Sequence, residues 1–274
     1  MSVFRFKRFE VVNERSAMKV NTDGVLLGAA MTIMPEDRRF LDIGTGTGTI
    51  ALMVAQRSFA AAQDDKESAQ DDKESAQDRS DLSQVEGVPV ILNEVKNLHI
   101  DAIDIDEASA SEAAANFDNS PWNASLHAHH CSLDEFAKAS DGMYDLIFSN
   151  PPYFEASLTA PDERKSTARH TSEGLSYRDI FDFAAGSLAE KGRVSFVLPA
   201  DQEASLCRYA RMSGFHLFRI LRIRTVPRKQ PARIIAEFAR ERCAQPSDSI
   251  LTIQDEGKYT QEYLSLTHDF YLFA

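Results

Sequence analysis

Residues 41–48 read Leu-Asp-Ile-Gly-Thr-Gly-Thr-Gly and complete an apolar run that starts at Arg39. An apolar run that stops at glycines and is followed by a helical pattern, here Thr49 to Arg57, predicts a strand, a tight turn and a helix. Glycine has no Cβ and tolerates unusual φ, so such a turn lets a ligand approach bare backbone. The stretch therefore predicts an α/β fold with a candidate ligand site in this turn.

The spacing of the glycines narrows the choice of ligand. Gly44, Gly46 and Gly48 do not complete the dinucleotide pattern G-x-G-x-x-G, because residue 49 is Thr. Asp42 stands two residues before the first glycine and would repel a pyrophosphate, whereas it suits a cationic cofactor that carries an amino acid. S-adenosylmethionine is such a cofactor. From these residues alone, a tight loop without a ligand is an equally open interpretation.

Apolar strand-like runs alternate with helical patterns along most of the chain, which is typical of a parallel α/β sheet. Gly192 stands where the C-cap of a helix over Tyr177 to Leu188 is expected. The turn Val226 to Pro231 separates two runs that we expect to pair in antiparallel fashion. The predicted strands are Arg39 to Ile43, Ile100 to Ile105, Ala124 to Cys131, Tyr144 to Ser149, Val194 to Leu198, Phe215 to Arg224 and Arg233 to Phe238; Glu107 to Phe117 is a further predicted helix.

The composition is that of a soluble globular protein. The 274 residues are 43% apolar and 26% charged, and they contain no apolar run of the ~18 residues that a bilayer requires. The three cysteines are far apart and lack metal spacing, which predicts reduced thiols in a cytoplasmic chain. The basic N-terminus lacks the apolar stretch of a signal peptide.

A low-complexity insertion interrupts the α/β pattern at about residues 59–99. The heptapeptide Ala62 to Ser68 recurs unchanged as Ala69 to Ser75, and residues 62–81 hold eight acids and three bases. The copies carry no apolar pair that a coiled coil could bury. We therefore expect a solvated insertion, disordered or loosely helical.

Asp104 ends the second predicted strand. A carboxylate at this position can accept both ribose hydroxyls of an adenosine. From Gly48 to Asp104 is 56 residues, of which 15 remain once residues 59–99 are set aside, against about 20 in nucleotide-binding folds. The alternative is that Asp104 and Asp106 only cap the helix that follows.

The most specific motif is Asn150-Pro151-Pro152-Tyr153, directly after an apolar strand. Two prolines remove two N–H donors, so this strand end presents mainly acceptors. The Asn150 amide oxygen and the Pro151 carbonyl can hold the hydrogens of one planar NH2 group and aim its lone pair at a sulfonium methyl. Tyr153 can stack on a flipped-out base.

These motifs together resemble the class I S-adenosylmethionine-dependent methyltransferases that modify planar amino or amide nitrogens. The segments Phe6 to Phe9, Ala17 to Gly28, Arg169 to Thr171 and Asp269 to Leu272 are similar to those of one subgroup, the bacterial tRNA1(Val) adenine-37 N6-methyltransferases. The resemblance covers nearly the whole chain outside 59–99. It implies a Rossmann-like, seven-stranded mixed sheet with helices on both faces and antiparallel last strands.

The resemblance also implies a target and a set of binding residues. The target is an adenine beside the anticodon of a valine tRNA, engaged by Asn150, Pro151, Pro152 and Tyr153. Residues 1–37 form a segment that covers the cofactor, and residues 38–274 form the methyltransferase domain. The cofactor-binding residues are then Lys19, Thr22, Asp23, Asp42, Gly44, Gly46, Gly48, Asp104, Ser132, Leu133 and Asn150, with Ser132 and the Leu133 amide on the cofactor adenine and Asp134 as an acid of the helix.

The net charge is −12, but the C-terminal third contains a basic stripe. Residues 205–242 hold ten Arg or Lys and two Glu, and could offer phosphates a local positive face. A merely solvated strand face is the alternative. The stripe consists of Arg219, Arg222, Arg224, Arg228, Lys229 and Arg233; apart from Arg219, these are the candidate RNA-binding residues.

Three histidines lie close together in the sequence. His127, His129 and His130 lie on one strand without a second ligand cluster, so we predict no metal site. Guanine N2 of rRNA or a glutamine amide of a release factor offers a similar NH2 group, and an inactive RNA-binding module is a third interpretation. A monomer is the favoured oligomeric state.

Overall fold

The computed structural model describes residues 2–60, 98–140, 142–152 and 175–273. The strands of these ranges are β1 Val3–Arg5, β2 Glu10–Val12, β3 Arg39–Ile43, β4 His99–Asp104, β5 Leu126–His130, β6 Tyr144–Ser149, β7 Leu188–Pro199, β8 His216–Arg224, β9 Arg233–Ala239, β10 Ser247–Thr252, β11 Gln254–Asp255 and β12 Lys258–Tyr259. The helices are α1 Thr22–Ala30, α2 with residues 49–60, α3 Glu107–Asp118, α4 Leu133–Ala139, α5 Tyr177–Ser187, α6 Glu203–Met212 and α7 Gln261–Thr267.

The main sheet has the strand order β10-β8-β9-β7-β6-β3-β4-β5. Only β9 is antiparallel to its neighbours among these described strands. The predicted Rossmann-like mixed sheet with an antiparallel pair near its end is thus confirmed, but it has eight strands rather than seven. The additional strand, β10, pairs with β8; its first four residues are exposed, so no apolar run marks it in the sequence.

Parallel strands that are covered by helices on both faces have continuous apolar sequences. Two strands were predicted from such sequences, β3 and β6, and both have the predicted bounds. One apolar cluster joins α1 and α2 to Phe40 and Phe148 on one face of the sheet. A second cluster joins α5 and α6 to Leu41 and Ile147 on the other. The helices therefore lie on both faces, as predicted.

Gly192 is not the C-cap of a helix, contrary to the prediction. Helix α5 ends at Ser187, and β7 begins at the next residue and runs through Gly192. The register of β7 against β6 shifts between Tyr144 and Leu146. A Cβ on Gly192 would lie 2.8 Å from the Tyr144 carbonyl oxygen. The glycine therefore permits a close approach of two strands.

The predicted insertion, residues 59–99, overlaps the folded protein at both of its ends. Residues 59 and 60 belong to α2, Leu98 is buried, and β4 begins at His99. The remaining residues of the predicted insertion, including the repeats, lie outside the described residues.

The N-terminal residues pack on the same core as the central helices. Phe6 and Phe9 are buried and stack on each other with ring centroids 4.5 Å apart. Arg57 of α2 donates to the carbonyls of Gly28 and Met31, and Arg219 of β8 donates to that of Ala30. These donors satisfy carbonyls that the end of α1 leaves unpaired, and they attach α1 to the sheet.

The chain runs from β3 outward to β5 and then returns to β6 on the other side of β3. Ligands of open α/β sheets bind outside the carboxyl ends of the strands at such a reversal of order. The carboxyl ends of β3, β4 and β6 carry the glycine turn, Asp104 and Asn150. The topology therefore brings the three predicted motifs to one crevice.

Candidate functional site

The glycine turn leaves β3 with three residues in the left-handed region. Gly44, Gly46 and Gly48 have φ of 74°, 57° and 78°. The N–H groups of Gly44 and Thr45 donate to the Ile103 carbonyl at 2.9 and 3.0 Å, which binds the turn to β4. Only glycine adopts such angles at little cost, so the turn keeps its backbone bare toward the crevice.

The three glycines serve different purposes. Gly44 and Gly46 line a small cavity at the switch point, together with Asn150. A Cβ on Gly48 would lie 2.4 Å from Cε1 of Phe117, in the core under α3. Gly48 therefore lets α2 and α3 pack closely, and its contact with the cofactor stays a prediction.

Asp42 lies behind the turn and is fully buried. Its carboxylate accepts a hydrogen bond from the Thr45 hydroxyl at 2.7 Å. Burial raises the pKa of Asp42 to about 7; the Thr45 bond opposes the rise and the charge of Asp104 adds to it. Asp42 is not among the described residues that line the cavity. It lies under the turn, where it orients Thr45, and its contact with the cofactor stays a prediction.

Asp104 joins the turn to the start of α3. Its Oδ2 accepts from the Gly46 N–H at 2.8 Å and its Oδ1 from the Asp106 N–H at 2.9 Å. Burial raises the pKa of Asp104, although both backbone donors act against the rise. The cap of α3 is Asp106, which accepts from the Ser109 N–H. Capping is therefore the role of Asp106, and Asp104 faces the glycine turn.

Asn150 follows β6 and is 6% exposed. Its Nδ2 lies 3.7 Å from the sulfur of Met18. The hydroxyl of Ser149 donates to the Ile43 carbonyl at 2.7 Å, which ties the end of β6 to β3 beside the glycine turn. Pro151 is buried and Pro152 is exposed. The predicted contact of Tyr153 falls outside the described residues.

Residues 16–21 pass over the glycine turn, and we call them the arch. Met18 to Asn21 line the cavity from the side opposite Gly44 and Gly46. The Lys19 ammonium folds back onto the carbonyls of Asn13 and Glu14, at 2.9 and 2.6 Å. The arch thus lines the cavity, while the Lys19 ammonium is held by the backbone that precedes the arch.

The other two predicted residues of this segment lie at the start of α1. Thr22 is exposed, and Asn21 caps the helix by accepting from the Gly24 N–H at 2.8 Å. The Asp23 carboxylate accepts from Arg233 Nε at 2.8 Å. Asp23, which was predicted to bind the cofactor, and Arg233, which was predicted to bind RNA, therefore form an ion pair with each other.

Ser132 and Leu133 begin α4 at the carboxyl end of β5. The Ser132 hydroxyl and N–H both bond to Glu135 Oε2, at 2.8 and 2.9 Å, in a capping box. The Leu133 N–H, in the first turn, has no intrahelical acceptor and can serve a ligand. Asp134 lies in the first turn of α4, as predicted.

Some arginines of the basic stripe form ion pairs with carboxylates of the protein, and other residues of the stripe do not. Arg222 bonds to Glu203 at 2.6 Å and to Asp248, and the Glu203 bond raises its pKa. Arg219 bonds to buried Glu237 at 2.8 Å. By contrast, Arg224 donates to the Thr252 hydroxyl and the Pro227 carbonyl. Among the described residues, Arg224, Arg228 and Lys229 have no carboxylate partner within 4.0 Å.

Two histidines, of β4 and β5, share one carboxylate. His99 and His129 each bond to the Asp101 carboxylate, at 3.0 and 2.8 Å. Tyr144 donates to the same group at 2.9 Å. In the described part of the chain, no cluster of His, Cys, Asp and Glu has the geometry of a metal site.

Two apolar side chains at the site were not predicted. Ile105 follows Asp104 and is 74% exposed, and Met18 of the arch is 40% exposed. Exposed apolar side chains beside a bare glycine turn can contact the flat face of an aromatic ligand. The sequence carries no signal for either, because apolar residues at a strand end and before a helix are read as core.

Curated proteins that are similar over nearly their full length decide the family. The chain is 33% identical to the tRNA1(Val) (adenine(37)-N6)-methyltransferase of Flavobacterium psychrophilum, over 98% of this chain and 99% of that one. It is 36% identical to the protein of that name from Parabacteroides distasonis, over 98% and 97% of the two chains. The chain belongs to the tRNA1(Val) (adenine(37)-N6)-methyltransferase family. No protein-family model matches it.

The fold agrees with this family assignment. A predicted O-methyltransferase from Agrobacterium tumefaciens superposes with a TM-score of 0.60 at 14% identity, over 89% of this chain and 95% of that one. This likeness concerns the fold alone. None of the helices in the described ranges has the length and apolar character that membrane crossing requires.

Proposed function

We propose that the protein transfers a methyl group from S-adenosyl-L-methionine to the N6 amine of an adenine in tRNA, namely adenine 37 of a valine tRNA. Asn150 carries this proposal, because it lies at the end of β6 and lines the same cavity as Gly44 and Gly46. Membership of the tRNA1(Val) (adenine(37)-N6)-methyltransferase family supports the substrate.

The residues at the switch point fit this cofactor. A Cβ on Gly46 would lie 3.6 Å from both the Met18 carbonyl and the Ser16 hydroxyl, so the bare glycine leaves room between turn and arch. The carboxylate of Asp104 suits a ribose diol. In our proposal, exposed Ile105 and the Leu133 N–H contact the adenine of the cofactor.

The bound cofactor would supply an electrophilic methyl group on a sulfonium. In our proposal the Asn150 amide oxygen and the Pro151 carbonyl accept the two hydrogens of the target amine. This arrangement favours a pyramidal nitrogen and directs its lone pair toward the cofactor. The amine proton becomes acidic once the nitrogen is alkylated, so no strong base is required.

Tyr153 remains the proposed platform for the target base, with stacking worth ~1–3 kcal/mol. The phosphates of the tRNA would meet Arg224, Arg228 and Lys229. These residues lie at the carboxyl end of β8 and in the turn that follows, on the edge of the sheet that also carries Asn150. Arg222 and Arg233, by contrast, hold carboxylates of the protein. We also infer a monomer in the cytoplasm, where tRNA is modified.

Nucleoside mass spectrometry of tRNA from cells with and without the gene tests the proposal. We expect one N6-methyladenosine position in one valine tRNA to depend on the gene. A dependent N2-methylguanosine in rRNA, or a dependent methylglutamine in protein, would move the activity to another substrate. Calorimetry that detects no S-adenosylmethionine binding to the folded protein would leave an RNA-binding module.

A further inference from the structure

One face of α3 carries a buried polar stripe that the proposed function does not use. Ser109, Glu112 and Asn116 follow helical spacing and are 3%, 1% and 2% exposed. A carboxylate as deeply buried as that of Glu112 needs partners that compensate for lost hydration. Each member of the stripe has a partner among the N-terminal residues 12–16.

Glu112 makes the densest set of these contacts. Its Oε1 accepts from the N–H groups of Glu14 and Arg15, both at 2.8 Å, and its Oε2 accepts from that of Ser16 at 3.0 Å. Burial alone would raise the pKa of Glu112, but the three backbone donors outweigh it and lower the pKa. The carboxylate thus holds three successive backbone amides directly before the arch.

Asn116 and Ser109 extend the attachment to both sides. Asn116 exchanges hydrogen bonds with the backbone of Val12, at 2.8 and 3.0 Å, and donates to the Thr47 carbonyl of the glycine turn at 2.9 Å. The Ser109 and Ser16 hydroxyls lie 2.9 Å apart. The stripe therefore connects the N-terminal residues to the turn and to the helix that follows Asp104.

The arch begins where these contacts end. Ser16 is the last residue held by Glu112, and two residues later the Met18 sulfur lies 3.7 Å from Asn150 Nδ2. A displacement of residues 14–16 would therefore shift the start of the arch relative to Gly46 and Asn150. We propose that Glu112 is a positioning residue that holds the arch over the glycine turn and thereby sets how tightly the cofactor is bound. This inference rests on the proposed cofactor but not on the RNA substrate.

The substitution Glu112→Gln tests the proposal against the matched control Glu107→Gln, which changes an exposed glutamate of the same helix. A glutamine keeps the size but presents an NH2 group to a backbone donor. We expect the Kd for S-adenosylmethionine, measured by calorimetry, to rise about tenfold in Glu112→Gln and to stay within about twofold in Glu107→Gln. We expect kcat at saturating cofactor to change by less than about threefold. An unchanged Kd in folded Glu112→Gln would overturn the proposal, and so would a lost kcat with normal affinity.

Hydrogen exchange in the wild-type protein supplies a second test that needs no variant. If Glu112 links the arch to the cofactor, linkage requires that cofactor binding slow the exchange of the amides of residues 14–16 and 18–21. Equal exchange rates with and without S-adenosylmethionine would contradict the proposal. A protein that binds the cofactor with slowed exchange but methylates no tRNA would refute the proposed function and leave this inference standing.

Discussion

The glycine turn and the basic stripe both lie at the carboxyl edge of the sheet, yet their charged and polar groups serve different ends. Around the turn, Asn150 lines the cavity, and Asp104 accepts a hydrogen bond from the Gly46 N–H and so holds the backbone of the turn. Along the stripe, Arg219 and Arg222 bond to carboxylates of the protein itself. The ten basic residues of 205–242 therefore overstate the positive charge that remains for phosphates.

The largest expected effect concerns Asn150. We predict that Asn150→Ala lowers kcat by roughly 10²–10³, because an acceptor for the reacting amine is lost, with a Kd for S-adenosylmethionine near that of the wild type. Single-turnover methylation and calorimetry measure the two quantities. If the variant lost cofactor affinity and kept its turnover at saturation, Asn150 would belong to the cofactor site alone.

The packing role of Gly48 in the glycine turn can be tested by substitution. We predict that Gly48→Ala lowers the free energy of unfolding by about 2–4 kcal/mol, since the new Cβ meets Phe117 and the backbone is left-handed. Gly214 has a φ of 82° but no neighbour within 4 Å of an added Cβ. Gly214→Ala is therefore the matched control and should cost only ~1–2 kcal/mol. Equal losses in urea denaturation would show that packing against Phe117 is unimportant.

The basic stripe can be tested by the salt dependence of tRNA binding. We predict that the double change Arg228→Ala and Lys229→Ala weakens binding and reduces the slope of log K against log salt by about 1.5–2. Lys191→Ala, at the amino edge of the sheet, is the control and should leave the slope unchanged. A normal slope in the double variant would place the phosphates elsewhere on the protein.

A further prediction is a pH dependence of stability that comes from Asp42. Its pKa is about 7 in the folded protein against an ordinary value of 3.8, so the folded state binds the additional proton between these values. The free energy of unfolding should therefore fall as the pH rises from about 4 to about 7. Asp42→Asn should remove this part of the decline in thermal melts across that range. An identical pH profile in the variant would show that Asp42 ionises normally.

Strand positions were predictable where burial alone decides them. Buried apolar runs mark β3 and β6, and the glycines, Asp104 and Asn150 follow from their places at strand ends. The exposed residues of β10 give no such signal. Local spacing likewise fails at Gly192, because the bulge against β6 depends on a neighbouring strand.

The partners of individual charges could not be predicted, because they are distant in sequence. Asp23 and Arg233 are separated by 210 residues, and Glu112 and Ser16 by 96. A glutamate inside an alanine-rich helix is read as solvated, and only the folded N-terminal residues show that Glu112 is buried. The capping box of Ser132 is local in sequence. Whether Ser132 can contact a ligand depends on residues of other strands, which its local sequence does not show.

In our proposal, Asn150 presents an adenine amine to a methyl donor held at the glycine turn. Transfer of labelled methyl from S-adenosylmethionine to two valine tRNA transcripts, one with adenine 37 and one with guanine there, tests it most directly. We expect one N6-methyladenosine in the first transcript and no label in the second. Equal labelling of both transcripts, or label recovered on a guanine, would contradict it.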